Sequence, residues 1–207
     1  MTKHIYIFGI VLLFFTSCKK LEQNNPIEKG LLIWDTKNLN VSNYRNGDAI
    51  LIANNTAEWK NFYDQGYGAC WPTSSGKLYN KFAMNDVRGL APIGFHIPHD
   101  FEWLKLIERF GGTEEAVYKM KNTSGWSCNG NNISKFSALE CGFLNDTLQA
   151  DGWGGNDVFY FEQQGAWWWS FGGNICRINN YCGLNDYVYL GSSANSKMGY
   201  SVRCVKD

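Results

Sequence analysis

The stretch Gly94–Trp103, GFHIPHDFEW, marks the point at which loop residues give way to the clearest helix of the chain. The segment Phe101–Phe110 repeats apolar residues at the intervals i, i+3, i+4 and i+7, which is typical of an amphipathic helix. These apolar residues are Trp103, Leu106, Ile107 and Phe110. Gly111-Gly112 follows and predicts the end of the helix. The pattern indicates scaffold and contains no reaction centre.

The composition is that of one globular domain preceded by a leader. The chain has 207 residues, of which 44% are hydrophobic and 18% charged, with 22 Gly, 9 Trp, 11 Tyr and 13 Phe. At this length a single core can bury most of the surface of the unfolded chain, so no second domain is required. The many glycines and aromatic residues predict a loop-rich domain packed on aromatic rings.

The first 17 residues resemble a bacterial lipoprotein signal. A weakly basic start precedes the apolar run Ile5–Phe15, which is too short to span a bilayer. Thr16-Ser17 then places small polar residues directly before Cys18. We therefore predict a signal peptide over residues 1–17 and lipidation of Cys18. The polar residues 18–29 are predicted to form a tether to the membrane.

The leader and the charge balance predict where the domain lies and which partners it lacks. Residues 1–17 hold one Lys and no acidic residue, so the remaining chain carries 18 basic and 19 acidic residues, a net charge of −1. This balance gives no electrostatic support to nucleic-acid binding. We predict an outer-membrane lipoprotein of the cell envelope, on either the surface or the periplasmic face, with its domain over residues 30–207.

The remaining predicted elements are short. Asn55, with Glu58 three residues later, fits a capping box and predicts a helix over Thr56–Tyr63. Further helical segments are predicted over Leu78–Met84 and Thr113–Lys121. Apolar or alternating runs predict strands at Phe136–Leu139, Asp157–Phe161, Ala166–Phe171, Tyr187–Leu190 and Tyr200–Val205. The predicted fold class is α+β, with few short helices, a small antiparallel sheet and long loops.

An ordered series of motifs resembles the Fibrobacter succinogenes major paralogous domain, which occurs in secreted proteins and lipoproteins, especially of the Bacteroidetes. The matching segments are Trp34–Asn40, Tyr44–Asp48, Gly76–Asn80, Asn85–Pro92, Gly94–Trp103, Phe136–Leu139, Trp168–Ser170 and Gly199–Asp207. The motif residues, which the resemblance implies to be structural, include Trp34, Asn38, His96, Pro98, Glu102, Trp103, Trp168, Trp169 and Arg203. The resemblance implies a fold similar to the C-type-lectin-like and sulfatase-modifying-factor folds. It implies no established activity.

The chain departs from the family pattern at the start of the central helix. His99 stands where a serine would cap the helix in a box with Glu102, so we expect Asp100 to take over the capping. His96 is predicted to be a structural imidazole that ties a strand end to the helix. His96 and His99 offer two ligands where metal sites usually need three or four, so no metal and no cofactor is predicted.

The cysteines after Cys18 are Cys70, Cys128, Cys141, Cys176, Cys182 and Cys204, and they allow many pairings. The family motifs do not call for the four in the middle, which implies the pairs Cys128–Cys141 and Cys176–Cys182. Cys70 and Cys204 are family positions and form either a long-range bridge or two buried thiols. Structural sulfurs are favoured over a copper or catalytic thiol site.

The run Trp167-Trp168-Trp169 is the most prominent candidate for a ligand site, because exposed aromatic rings stack on sugar faces. Strand alternation sends Trp168 to the opposite side from its neighbours. The resemblance implies that Trp168 and Trp169 are packed, which leaves Trp167 as the predicted ligand contact.

These observations predict a non-enzymatic, lipid-anchored envelope module that binds a glycan or a protein partner. One alternative is a structural component of an envelope complex. Another is a copper or thiol oxidoreductase similar to the formylglycine-generating enzymes, which would need two adjacent, accessible thiols.

Overall fold

The structure of the protein is a computed structural model that describes residues 31–145, 159–160, 165–179, 182, 186–192 and 197–207. The predicted signal peptide, Cys18 and the tether lie outside these residues. Leu32–Asp207 forms one compact unit. None of the helices in the described ranges is long and apolar enough to cross a bilayer.

The described residues contain four helices. They are α1 (Thr56–Asp64), α2 (Lys81–Met84), α3 (Asp100–Arg109) and α4 (Thr113–Met120). The Asn55 side chain accepts the N–H of Glu58 at 2.9 Å, which caps α1 as the sequence predicts. The helix predicted over Leu78–Met84 is wrong in its first half, because Leu78 and Tyr79 pair with a neighbouring strand.

The strands are between two and six residues long. In chain order they are β1 (Leu51–Ile52), β2 (Ala69–Thr73), β3 (Gly76–Tyr79), β4 (Phe95–His96), β5 (Leu144–Asn145), β6 (Phe159–Tyr160), β7 (Gly165–Trp169), β8 (Asn174–Asn179), β9 (Val188–Ser192) and β10 (Val205–Lys206). They form the sheets β1-β2-β3, β4-β10, β5-β6 and β7-β8-β9. All pairs are antiparallel except β1 with β2.

The fold class is α+β, as predicted, but the strands do not form one sheet. The strands are short, so each pairs with one or two neighbours and the ladders stay small. The β4-β10 pair sets Val205 opposite His96, and an isolated bridge sets Val205 opposite Trp34. This pairing brings the two ends of the domain together beside α3.

Strand β7 lies between two hydrophobic clusters. One cluster contains residues of α2 and the loops around it, and the other contains the buried faces of α3 and α4. Trp103, Leu106 and Ile107 of α3 are buried, as the apolar spacing of the helix requires. A smaller cluster surrounds Trp59 of α1. The core therefore sits on both sides of β7.

Candidate functional site

The run Trp167-Trp168-Trp169 is buried on both faces of β7. Trp167 is 7% exposed, Trp168 0% and Trp169 1%. Alternation along the strand sends Trp167 and Trp169 into one cluster and Trp168 into the other. Trp167 packs on Phe143, with 4.5 Å between the ring centroids. Burial leaves Trp167 little surface for the predicted ligand contact, because the second face of β7 is covered as fully as the first.

A buried polar cluster ties Trp168 to both ends of the domain. The Oδ1 atom of Asn38 accepts hydrogen bonds from Trp168 Nε1 at 2.8 Å and from Arg203 Nε and Nη2 at 3.1 and 2.7 Å. The Nη1 atom of Arg203 donates to the backbone carbonyls of Asp35 and Phe136. Asn38, Trp168 and Arg203 are all buried. This cluster is a structural tie that solvent does not reach.

The charged guanidinium of Arg203 is hydrogen-bonded to uncharged acceptors. In the described part of the chain, the guanidinium donates to carbonyl oxygens, and it lies 4.4 Å from the centroid of the Phe136 ring. Burial lowers the pKa of Arg203 to about 10, and the nearby Cys141 and Asp35 act in the opposite direction. The group stays protonated at neutral pH, so each of its few acceptors matters to the stability of the domain.

His96 joins three segments of the chain through both of its ring nitrogens. Its Nδ1 lies 2.8 Å from Asp207 Oδ1, and its Nε2 lies 3.0 Å from each carboxylate oxygen of Glu102. The Oε2 atom of Glu102 also accepts the backbone N–H of His99 at 2.9 Å, as in a capping box. The imidazole thereby connects the end of β4 to the first turn of α3.

Asp100 does not take over the capping of α3. The helix begins at Asp100 itself, and His99 occupies the N-cap position. The Asp100 carboxylate instead accepts hydrogen bonds from Ser170 Oγ and Asn174 Nδ2 at the junction of β7 and β8. The expectation failed because these donors, 70 and 74 residues away in sequence, occupy the carboxylate.

Three aromatic rings meet at the protein surface beside the start of α3. We call His99, Phe101 and Phe171 the aromatic surface. The rings of His99 and Phe101 are nearly parallel, with 5.7 Å between centroids and 18° between planes, and Phe171 meets His99 edge-on at 4.9 Å. Phe101 is 53% exposed and Phe171 48%. Exposed rings in mutual contact are typical of recognition surfaces, whereas single exposed apolar residues need no explanation.

Backbone hydrogen bonding holds Phe171 in place. The residue lies in the turn between β7 and β8, and its N–H donates to the carbonyl of Pro98 at 2.8 Å. Gly172 and Gly173 follow with φ of +100° and +102°, a backbone conformation that side chains disfavour. The backbone of Phe171 is therefore fixed before a ligand arrives, which reduces the entropy lost on binding.

Polar groups border the aromatic surface. The Lys105 ammonium lies 5.1 Å from the centroid of the Phe101 ring. The Asp100 carboxylate lies between the backbone of His99 and the turn that carries Phe171, and it is half-buried. The region thus offers flat apolar faces together with a hydrogen-bond donor and an acceptor.

Sequence reasoning missed the aromatic surface, although a signal for it exists. Phe101 falls outside the apolar face of α3, at a position where a helix on the surface of a soluble domain usually carries a polar residue. Phe171 stands directly before Gly172-Gly173, so it was predictable as a turn residue. Their meeting was not predictable, because it requires the hydrogen bond that joins the turn after β7 to Pro98 in the loop before α3.

The structure pairs Cys128 with Cys182 in a disulfide, with 5.5 Å between the Cα atoms. The predicted pairs Cys128–Cys141 and Cys176–Cys182 are therefore wrong. Cys141 and Cys176 lie outside the disulfide, in the cluster that packs between α3 and β7. Both are buried in this core, whereas Cys128 and Cys182 are exposed.

Cys70 and Cys204 are also buried free thiols. Of the two alternatives that the sequence left open, a long-range bridge or two buried thiols, the structure shows the thiols. Burial raises the pKa of Cys70 to about 11 and that of Cys204 to about 12. It also raises the pKa of Cys141 and that of Cys176 above the usual range. Cysteine reacts and binds metals as the thiolate, so these four buried thiols do not suit copper or nucleophilic chemistry.

One comparison with known proteins identifies a family. Within the described residues, no three His, Cys, Asp or Glu side chains are grouped so that they could hold a metal ion. Searches of curated proteins and of solved structures find no match. The sequence profile of the Fibrobacter succinogenes major domain matches residues 27–206, which is most of the chain. The chain therefore belongs to the Fibrobacter succinogenes major domain family.

Proposed function

We propose that this chain is a lipid-anchored protein of the cell envelope whose domain binds a glycan through the aromatic surface. The observation that carries the binding role is the contact of the His99 ring with both Phe101 and Phe171 at the surface, where the two phenylalanines are about half exposed. Exposure alone does not distinguish these rings, because Tyr67 is 50% exposed and Tyr118 54%. The aromatic surface replaces Trp167 as the ligand contact.

A glycan fits the chemistry of this surface better than other ligand classes. The apolar faces of sugar rings stack on flat aromatic rings, and their hydroxyl groups require donors and acceptors at the border. Lys105 supplies a donor, and the Asp100 carboxylate keeps lone pairs beyond the two that Ser170 and Asn174 occupy. Single-stranded nucleic acid also stacks on aromatic rings, but it requires a positively charged groove, and the predicted mature chain has a net charge of −1.

The anchoring part of the proposal is supported by the N-terminal sequence. The apolar run Ile5–Phe15 followed by Thr16-Ser17-Cys18 is typical of a lipoprotein signal, and a polar segment separates Cys18 from the domain. A single acyl chain binds membranes weakly, so stable anchoring requires the multiple chains that a lipidated N-terminal cysteine carries. We place the protein in the outer membrane, with the domain on either face.

We also propose that the domain shares the architecture of C-type-lectin-like and sulfatase-modifying-factor-like proteins. Short helices, small antiparallel sheets and long connections are compatible with that architecture. An experimental structure whose strand order differed from both folds throughout would overturn this part of the proposal.

A glycan array tests the binding role. The full-length chain, purified in detergent, is applied to the array beside Phe101→Ala and Phe171→Ala. Loss of a central aromatic contact typically costs more than about 1 kcal/mol, so each variant should bind at least about fivefold more weakly. Tyr67→Ala is the matched control, because Tyr67 is 50% exposed and lies outside the aromatic surface.

Two results of this screen would refute the glycan proposal. One is equal binding by the wild type and both phenylalanine variants, and the other is the absence of binding to every glycan. The second result would favour a protein partner and a structural role in an envelope complex, which cross-linking in cells would then identify.

Cell fractionation tests the anchor and the membrane face. Wild-type chain should partition with membranes, and Cys18→Ala should be released into the soluble fraction. A Cys18→Ala chain that stays with the membrane would contradict lipidation. Protease added to intact cells distinguishes the faces, because it degrades a surface-exposed domain and spares a periplasmic one.

A further inference from the structure

We propose that His96 is held as an imidazolium between Glu102 and Asp207, and that its deprotonation releases the first turn of α3 together with the aromatic surface. The inference rests on the proposed function only in treating that surface as the binding site. The protonation of His96 and its effect on α3 follow from the geometry alone.

Both ring nitrogens of His96 face carboxylate oxygens. Asp207 Oδ1 lies 2.8 Å from Nδ1, and the two oxygens of Glu102 lie 3.0 Å from Nε2. A neutral imidazole has one N–H and one lone pair, so one of these contacts would set a lone pair against an ionised carboxylate. The imidazolium, with two N–H donors, satisfies both contacts.

The proton belongs to His96 and not to Glu102. Besides the imidazole, Glu102 Oε2 accepts the backbone N–H of His99 at 2.9 Å, so both of its oxygens already face donors. Glu102 is 3% exposed, so water compensates its negative charge poorly. An ionised Glu102 therefore requires the positive charge of His96.

The other charged and titratable groups around His96 do not change this assignment. The ring of His99 lies 6.5 Å away between centroids, and Lys206 lies in β10 opposite Phe95 with an exposed side chain. Arg45 donates to the backbone carbonyl of Phe95 and approaches from the adjoining loop. Among the described residues, His96 forms ion pairs with Glu102 and Asp207.

The direction of the pH effect follows from the same contacts. Partial burial lowers the pKa of His96, but the hydrogen bonds to Asp207 and Glu102 outweigh burial and hold the pKa above its usual value. A group whose pKa is raised in the folded state stabilises that state at pH values below its unfolded pKa. This stabilisation is lost as the pH rises through the folded pKa.

The consequence reaches the aromatic surface through Glu102. Deprotonation of His96 leaves one N–H for two carboxylates and removes the positive charge that compensates the buried Glu102 carboxylate, which then moves from its place. This movement weakens the bond from the His99 N–H to Glu102 Oε2. That bond fixes the N-cap of α3, and His99 and Phe101 lie on either side of the first helical residue. The latch formed by His96, Glu102 and Asp207 thus holds two of the three rings.

Two ligand-free measurements on the full-length chain in detergent test the latch. Nuclear magnetic resonance of ¹⁵N-labelled imidazoles follows the protonation of both His96 nitrogens with pH, with His96→Gln to assign the signals. Hydrogen exchange, corrected for its intrinsic pH dependence, follows the protection of the first turn of α3. The expected titration lies above the usual histidine value of about 6.5. Protection should fall as His96 loses its proton.

The variant Asp207→Asn removes one carboxylate and keeps the hydrogen-bonding shape. It should shift both the His96 titration and the loss of protection to lower pH by the same amount. In His96→Gln, protection should be independent of pH. A wild-type titration at or below about 6.5, or a protection profile that does not follow it, would overturn the latch.

The glycan array, repeated at pH 6 and pH 9, separates the latch from the proposed function. Binding that weakens at pH 9 in the wild type, but not in His96→Gln, supports control of the surface by the latch. Equal wild-type binding at both values overturns that control. If His96 titrates as expected and the array stays empty at both pH values, the latch stands and the glycan proposal is refuted.

Discussion

Replacement of Asn38 by alanine should destabilise the domain more than most single substitutions. The Oδ1 atom of Asn38 accepts the N–H of Trp168 and two N–H groups of Arg203, all of them buried. In Asn38→Ala these three donors lose their acceptor, and the space left is closed to bulk water. The backbone bonds from Arg203 to Asp35 and Phe136 remain.

The magnitude follows from the groups that are left unpaired. A buried neutral donor without an acceptor costs about 1–3 kcal/mol, which applies to the indole of Trp168. A buried charge that loses a partner costs about 3–5 kcal/mol, and Arg203 belongs at the lower end because it keeps two acceptors. We expect a loss of about 4 kcal/mol or more, which is a large part of the ~5–15 kcal/mol typical of a folded domain.

Urea denaturation followed by tryptophan fluorescence measures this loss. Asn38→Asp is the informative companion, because it keeps the acceptor oxygens and gives Arg203 an anionic partner. Its loss of unfolding free energy should be less than half that of Asn38→Ala. Asn61→Ala, an exposed change on α1, should stay within about 0.5 kcal/mol of the wild type. A loss below about 1 kcal/mol in Asn38→Ala would refute the role assigned to this oxygen.

Further predictions concern the cysteines and one glycine. Serine at both Cys128 and Cys182 should cost about 2–4 kcal/mol in the same assay, whereas a peptide map that linked Cys128 to Cys141 would contradict the pairing. The four buried thiols should resist iodoacetamide at pH 8 until the protein unfolds, and rapid labelling of the native protein would show that they are accessible. A Cβ at Gly130 would lie 2.3 Å from the Tyr118 carbonyl oxygen and 2.4 Å from that of Lys121. Gly130→Ala should therefore destabilise by about 1–3 kcal/mol, and an unchanged urea midpoint would contradict this.

Local pattern was sufficient to predict most helices. The apolar spacing after Asp100 and the Asn55–Glu58 box predicted α3 and α1 to within a residue or two, because the interactions that start and orient a helix lie within one or two turns. The segment Leu78–Met84 was harder to predict, because Leu78 and Tyr79 join β2 across a turn. Tertiary pairing there outweighs a helical spacing of only two turns.

The candidate site could not be predicted from local sequence pattern, for a different reason. Alternation correctly separates Trp168 from Trp167 and Trp169, but no local rule shows that both faces of β7 are covered. The disulfide joins residues 54 apart, and Phe171 meets its partners through a turn 70 residues from α3. Such long-range contacts depend on how whole helices and strands are arranged, and residue spacing along the chain does not predict that arrangement.

The tie between the two ends of the domain also sets when the domain can fold. Asn38 and Arg203 are 165 residues apart, and the Leu39 N–H bonds to the Val202 carbonyl at 2.8 Å. Contacts of such long range form late, because the intervening chain must first be ordered. A chain that is still being synthesised lacks Arg203, so its core stays open. Under the export proposed above, this delay would keep the polypeptide unfolded until its last residues emerge, so that it could pass through a narrow membrane channel.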